Sequence, residues 1–138
     1  MLLAILISIS VMGFLISSHF TAVVYQWIEP DSKWIPSFCR MEKQTCVSVV
    51  FTPRARVMGL PNSVLGQLFY IALIAGLWKD FVFIYPYYYF YICVSLATVV
   101  LGLYLTYSLL FLTRIPCKLC FASHGFNLVI FVLLLVKN

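Results

Sequence analysis

The sequence predicts an all-α integral membrane protein, a four-transmembrane-helix bundle with a long loop between the first and second helices. Three observations lead to this fold class. Of the 138 residues, 64% are hydrophobic and only 9% are charged, whereas a soluble domain carries about 25% charged residues. The mean hydropathy is +1.05. At about 20 residues per span, the chain has room for four or five spanning helices and one sizeable loop. This composition argues against a water-soluble enzyme, a disordered tail and a nucleic-acid binder.

The apolar runs set the order of the helices. The first run, 2–24, has no charged residue, and it lacks the basic region and small-residue cleavage site of a signal peptide. We therefore expect an uncleaved first span. The second run, Asn62–Trp78, would be about 25 Å long, which is short but able to span. The third lies within 81–113, with Pro86 marking its start, and the fourth covers 117–136.

The segment 29–58 holds most of the charge and three prolines, so we expect a loop on one face of the bilayer. Irregular backbone exposed to lipid would leave its polar groups without partners. Counting four crossings places this loop and the turn at Arg114 on the same face. Lys79, Lys137 and the N-terminus then lie on the other face.

Four of the five cysteines form two pairs on the loop face. Cys117 and Cys120 make a C-x-x-C at the start of the last helix, where positions i and i+3 share one side. The helix N-terminus, with Lys118 beside it, should stabilise a thiolate there. Cys39 and Cys46 lie in the loop with six residues between them, so a second disulfide closes easily. The pattern favours a relay in which a thiolate attacks a neighbouring disulfide.

Two other interpretations of these pairs stay open. Four thiolates can hold a structural zinc ion, but a membrane-edge site beside basic residues is unfavourable for a dication, and we expect no metal. The pairs could also be structural disulfides in a non-enzymatic membrane scaffold or a small transporter subunit. A c-type haem is excluded because Phe121, and not a histidine, follows the second cysteine. Cys93, alone in the third span, is expected to be a small buried hydrophobic side chain.

Several short motifs follow one another from the loop to the last helix. They are Cys39 with Cys46, Asn62-Ser63-Val64-Leu65-Gly66 with Phe69-Tyr70, Tyr104-Leu105-Thr106-Tyr107, and Cys117-x-x-Cys120 with Asn127. In this order and spacing the chain resembles the vitamin K epoxide reductase family of integral-membrane thiol oxidoreductases. The resemblance implies a helix bundle around a quinone pocket, with the loop folded over it.

The resemblance also implies roles for individual residues. Cys39 and Cys46 would exchange electrons with a partner. Cys117 would be attacked by the loop pair, and Cys120 would face the quinone ring. Asn62 looks like the family's hydrogen-bond donor to a quinone carbonyl. From its position alone, an asparagine at the start of a span can also cap its helix, and both interpretations are kept.

His124 is one of three departures from relatives of this family. The vertebrate enzymes have tyrosine at this position, and they have seven residues between the loop cysteines instead of six. Many microbial members also carry a fused thioredoxin-like domain, which we do not expect here. His124 lies one helical turn from Cys120, where it could bond a quinone oxygen or deliver a proton. A plain helix–helix hydrogen bond is the other interpretation.

The resemblance thus implies a microbial-type thiol:quinone oxidoreductase, with 1–138 as a single transmembrane domain. Electrons would pass from a thioredoxin-fold redox partner through the loop pair and the C-x-x-C to a quinone of the menaquinone, ubiquinone or vitamin K type. The result would be disulfide formation in an oxidising compartment. The paired cysteines and the long loop would be extracytoplasmic, in a plasma or inner membrane. A vertebrate-type vitamin K epoxide or quinone reductase is the alternative.

The distribution of basic residues disagrees with this orientation. Seven of the nine Lys and Arg residues fall on the cysteine face, and the positive-inside rule alone would put that face in the cytoplasm. We follow the resemblance, because basic side chains such as Arg54 and Arg56 can bind lipid headgroups on either side.

Overall fold

The computed structural model describes residues 1–29, 49, 51–114 and 117–137. In this part of the chain the main elements are four α-helices: α1 (Leu2–Val24), α2 (Asn62–Trp78), α3 (Tyr87–Tyr107) and α4 (Lys118–Val136). Short 3-10 helices occupy Pro53–Ala55 and Phe81–Phe83, and a two-stranded sheet consists of β1 (Arg56–Val57) and β2 (Leu60–Pro61). Most of the predicted loop lies outside the described residues.

The length and hydropathy of the helices suit a lipid environment. α1, α4 and the continuous helical segment Tyr87–Leu112 are long and apolar enough to cross a membrane, while α2 has 17 residues and is shorter. The predicted mostly helical, membrane-integral character is therefore confirmed. A fourth crossing by α2 stays a prediction.

A widened turn ends the third helix. Directly after α3, Ser108–Leu112 form a π-helical turn, closed by a 2.9 Å bond from the Thr113 N–H to the Ser108 carbonyl. Such turns hold one extra residue and occur frequently at functional sites. This one brings Ser108 and Thr113 to the wall of the cavity described below.

α1 is the central helix of the bundle. It packs along α2 on one side and against α4 on the other, and α3 packs mainly on α4. Close approach of α1 and α2 depends on Gly13, because a Cβ atom there would overlap the ring of Tyr70. Small residues commonly allow helices to approach one another in membranes. Since α2 and α3 have little direct contact, a space is left between them.

Two apolar clusters hold the helices together. The larger one centres on fully buried side chains of α1, α2 and α4, among them Leu6, Leu73 and Ile130. The smaller one joins Phe20 and Val23 of α1 to the start of α4. This second cluster fixes the N-terminus of α4 against the last turns of α1.

Polar side chains also join α1 to α2. The hydroxyl oxygen of Thr21 lies 3.0 Å from both Ser63 Oγ and Gln67 Oε1. The Gln67 amide nitrogen donates to Ser18 Oγ at 2.9 Å. Hydrogen bonds between membrane helices are worth about 0.6 kcal/mol on average. Together they fix the first turns of α2, where Asn62 lies.

A tight hairpin leads into α2. Its strands pair antiparallel, with Arg56 opposite Pro61 and Val57 opposite Leu60. Between them, the turn residues Met58 and Gly59 have φ angles of 55° and 85°, the positive values that two-residue hairpin turns of this kind require. The hairpin turns the chain back toward the bundle, so the preceding 3-10 helix reaches the cavity.

The prediction for Cys93 is wrong. This residue lies on the exposed surface of α3 and not in the interior of the bundle. A helix in lipid is apolar on its outer side as well as its inner side. An apolar neighbourhood in the sequence therefore does not imply burial within the protein.

Candidate functional site

The two cysteines of the C-x-x-C are in direct contact. Cys117 is the N-cap of α4, and its sulfur accepts a 3.4 Å hydrogen bond from the Cys120 N–H. The Cys120 thiol lies 2.6 Å from the Cys117 sulfur. The helix thus begins at Lys118, one residue later than predicted. A cap sulfur at this position faces the unpaired N–H groups of the first turn, where negative charge is stabilised.

The two sulfurs differ in their surroundings. Cys117 is fully buried, in the cluster formed with Phe20 and Val23. Cys120 is only partly buried and lies on the wall of a cavity among the four helices. A ligand in this cavity would therefore meet the Cys120 sulfur.

The cavity has a volume of about 150 Å³. Most of its wall area is apolar, although more than half of the lining residues carry a polar group, and such groups at fixed positions allow specific recognition of a ligand. Three residues predicted as site residues, Asn62, Cys120 and His124, line this one cavity. Further polar residues on its wall are Ser17, Thr52, Arg54, Ser63, Tyr70, Thr98, Ser108, Thr113, Ser123 and Asn127.

His124 sits on α4 with one ring nitrogen shielded. Its Nδ1 atom is buried and has no hydrogen-bond partner among the residues the structure describes. The ring packs against Gly102 of α3, where a Cβ atom would come within 3.0 Å of Nδ1. Within the described chain, the helix–helix hydrogen bond considered for His124 is therefore not formed by this nitrogen. That leaves Nε2 as the nitrogen available to a ligand.

Asn62 does not cap α2, so that interpretation is wrong. The N-cap is Pro61, no side chain caps the helix, and Asn62 is the first helical residue. The fixed φ of proline suits the start of a helix, and here it connects β2 directly to α2. The Asn62 side chain is left on the cavity wall.

Sequence reasoning missed a buried polar pair in the cavity. The Tyr70 hydroxyl donates a 2.6 Å hydrogen bond to Asn127 Oδ1, and Tyr70 is only 1% exposed. Both residues belong to the motifs noted in the sequence, but nothing in a single sequence indicates that they pair. Their bond ties α2 to α4.

Arg54 was also missed as a site residue. It lies in the 3-10 helix before the hairpin and lines the cavity. Its Nη1 atom donates a 3.5 Å hydrogen bond to Ser108 Oγ on the π-helical turn. From the sequence, this arginine was expected only to contact lipid headgroups. The sequence signal for a tight turn was Gly59, which allows the positive φ that such a turn needs, and this turn folds the segment back.

The second predicted cysteine pair, Cys39 and Cys46, lies outside the described residues. Its exchange with Cys117 therefore stays a prediction. Among the described residues, no group of three or more His, Cys, Asp or Glu side chains could hold a metal ion. The zinc interpretation needed both cysteine pairs, so this finding does not decide it.

These features define an integral membrane protein with a C-x-x-C at the wall of a cavity among its helices. The model of the vitamin K epoxide reductase family matches residues 4–135, nearly the whole chain. The chain belongs to the vitamin K epoxide reductase family, as the motif order predicted. Membership implies oxidoreductase activity in the membrane, and the family generally uses a quinone as its redox substrate. A search of curated proteins found no significant match.

Proposed function

We propose that the protein is a membrane thiol:quinone oxidoreductase in which Cys117 and Cys120 reduce a quinone held in the cavity. The observation that carries the proposal is the position of Cys120. Its sulfur lies on the cavity wall and is 2.6 Å from the Cys117 sulfur. A ligand bound there would touch a thiol that has its resolving partner already in place.

The cavity suits the chemistry of a quinone. A quinone has a flat apolar ring and two carbonyl oxygens that accept hydrogen bonds. Apolar walls would hold the ring, and Asn62 and His124 would donate to the carbonyl oxygens. With Nδ1 of His124 buried against α3, its Nε2–H is the group that would donate.

The reaction balances with the groups named. The two thiols lose two electrons and two protons and form one disulfide, while the quinone gains both and becomes a hydroquinone. The Cys120 thiol would add to the quinone through its sulfur. The Cys117 thiolate would then attack that sulfur, forming the S–S bond and breaking the bond to the ring, so that the electron pair and the protons leave with the hydroquinone. The position of Cys117 at the N-terminus of α4 favours its thiolate.

The disulfide must then be reduced again. In the proposal, Cys39 and Cys46 transfer electrons to it from a thioredoxin-fold redox partner, as the family resemblance implies. The chain 1–138 would form a single domain of four spans, with its paired cysteines on the extracytoplasmic side. This is the arrangement of a microbial-type member that drives disulfide formation.

Quinone reduction by the purified protein tests the proposal. The protein in lipid nanodiscs is mixed with dithiothreitol and with menaquinone, ubiquinone or vitamin K quinone, and hydroquinone formation is followed by absorbance. Cys117→Ala and Cys120→Ala are expected to abolish turnover. Cys93→Ala is the matched control, since this cysteine is exposed on α3 and should be dispensable.

Two outcomes would contradict the proposal. Quinone reduction that survives in both Cys117→Ala and Cys120→Ala would show that the dithiol is not the reductant. A wild-type protein with no quinone reduction would favour the non-enzymatic scaffold. Vitamin K epoxide in the same assay tests the vertebrate-type alternative.

A further inference from the structure

Arg54 brings a formal positive charge to the cavity. No other residue on the cavity wall, within the part of the chain that the structure describes, is a Lys, Arg, Asp or Glu. Among the described residues, no carboxylate lines the cavity beside it. Of these residues, only Arg54 would bring a formal charge to a ligand in the cavity.

The structure of α3 gives this guanidinium a fixed partner. Ser108 is only 3% exposed, and its carbonyl accepts both the N–H and the hydroxyl of Thr113. The Ser108 hydroxyl oxygen accepts from Arg54 Nη1 at 3.5 Å. This contact uses one of the five guanidinium N–H donors. Among the described residues, Ser108 Oγ is the hydrogen-bond acceptor given for Arg54, so up to four N–H donors would serve a ligand oxygen.

Reduction of a quinone creates negative charge on oxygen. The two electrons from the dithiol and the two protons need not arrive together, and an oxygen that has received electrons before its proton is an anion. Neutral donors such as Asn62 and His124 stabilise such an oxygen less than a cation does. Arg54 is itself exposed, so the stabilisation would come from a direct charge-assisted contact at the cavity wall and not from burial of the guanidinium.

We propose that Arg54 stabilises the negative charge on the quinone oxygen while the cysteine pair reduces the ring. This inference rests on the proposed function, because it needs a quinone in the cavity. It adds a cationic group from the hairpin side to the neutral donors on α2 and α4. The cavity is accordingly expected to prefer a quinone that carries negative charge over a neutral one of the same size.

The chain contains a matched control for this charge. Arg56 follows two residues later on β1 and is exposed, as Arg54 is, but it does not line the cavity. Both arginines would contribute equally to binding anionic lipid headgroups. An effect confined to Arg54 therefore reports the cavity and not the membrane surface.

Two naphthoquinones test the inference in the full-length protein in nanodiscs. 2-Methyl-1,4-naphthoquinone is neutral, and 2-hydroxy-1,4-naphthoquinone of similar size is an anion at neutral pH. Arg54→Gln is expected to weaken binding of the anion about tenfold or more, as for a lost charge-assisted hydrogen bond. Binding of the neutral compound should change less than about twofold. Arg56→Gln should leave both dissociation constants unchanged.

A second variant guards against misfolding of the first. Ser108→Ala keeps the arginine and removes the hydroxyl that accepts its hydrogen bond. This variant should also weaken binding of the anion more than binding of the neutral compound. The inference would be overturned if Arg54→Gln weakened binding of the two naphthoquinones equally. It would also be overturned if neither Arg54→Gln nor Ser108→Ala changed binding of the anion. Arg54-dependent binding of the anion without any binding of the neutral quinone would show an anion site at Arg54, and it would overturn the quinone assignment together with the inference.

Discussion

Tyr70 Oη donates a 2.6 Å hydrogen bond to Asn127 Oδ1 and so joins α2 to α4 beside the cavity. The ring of the same tyrosine covers Gly13 of α1. One side chain therefore connects three of the four helices. Because it is almost completely buried, its position determines both the packing of the bundle and the shape of the cavity wall.

Replacing Tyr70 with phenylalanine removes only the hydroxyl. The Asn127 amide oxygen then loses its donor, and we expect a loss of stability of about 0.5–1.5 kcal/mol, the range of interhelical hydrogen bonds in membranes. Denaturation in mixed micelles of sodium dodecyl sulfate measures it. Tyr104→Phe is the control, since Tyr104 is exposed. An equal effect of the two variants would contradict the role given to the bond.

Replacing Gly13 with alanine places a methyl group where the Tyr70 ring lies. Both α1 and the ring must shift, and we expect a loss of about 1–3 kcal/mol, as for overpacked cores. Gly125→Ala is the matched control, because its added methyl group would meet no other described element of the chain within 4 Å. That variant should be neutral or slightly stabilising, since alanine favours helix. Unfolding of both variants under the same conditions decides between these outcomes.

Replacing Gly102 with alanine acts on His124. The added Cβ atom would lie 3.0–3.4 Å from three atoms of the histidine, so the ring must move by a few tenths of an ångström. We expect the KM for quinone to rise several-fold (on the order of 1 kcal/mol) with little loss of folded protein. A double-mutant cycle with His124→Phe checks the mechanism, because the two changes should not be additive. If the effects of the two substitutions on KM were fully additive, Gly102→Ala would not act through the His124 ring.

Replacing His124 with phenylalanine keeps a ring of similar shape and removes the nitrogen atoms. If Nε2 donates to the quinone, this variant slows quinone reduction more than it slows thiol–disulfide exchange at the cysteines. Stopped-flow measurement of the two half-reactions separates these steps. Equal slowing of both, or of neither, would reject a role for His124 at the quinone.

The positions of the helices could be predicted because hydropathy responds directly to the lipid environment. Both α1 and α2 have the predicted bounds. The inward face of each helix could not be predicted in the same way, since lipid and protein interior are equally apolar. Cys93 shows this difference: its place on the third helix was foreseen, but its exposure was not.

Apart from Asn62, which the family resemblance indicated, the candidate site could be predicted where spacing along one helix decides proximity. Cys120 and His124 lie one turn apart and share the cavity wall, as their four-residue spacing implies. The contacts of Arg54 with Ser108 and of Gly102 with His124 join residues far apart in the sequence. Such contacts depend on how separate helices pack, which no local pattern contains.

The exposure of Cys93 has a practical consequence for counting oxidised and reduced sulfur. A maleimide added after denaturation labels this side chain whatever the redox state of the C-x-x-C. Labelling of the wild-type protein therefore includes a background signal that does not change during turnover. A Cys93→Ala background removes it, and the remaining label then reports only Cys39, Cys46, Cys117 and Cys120.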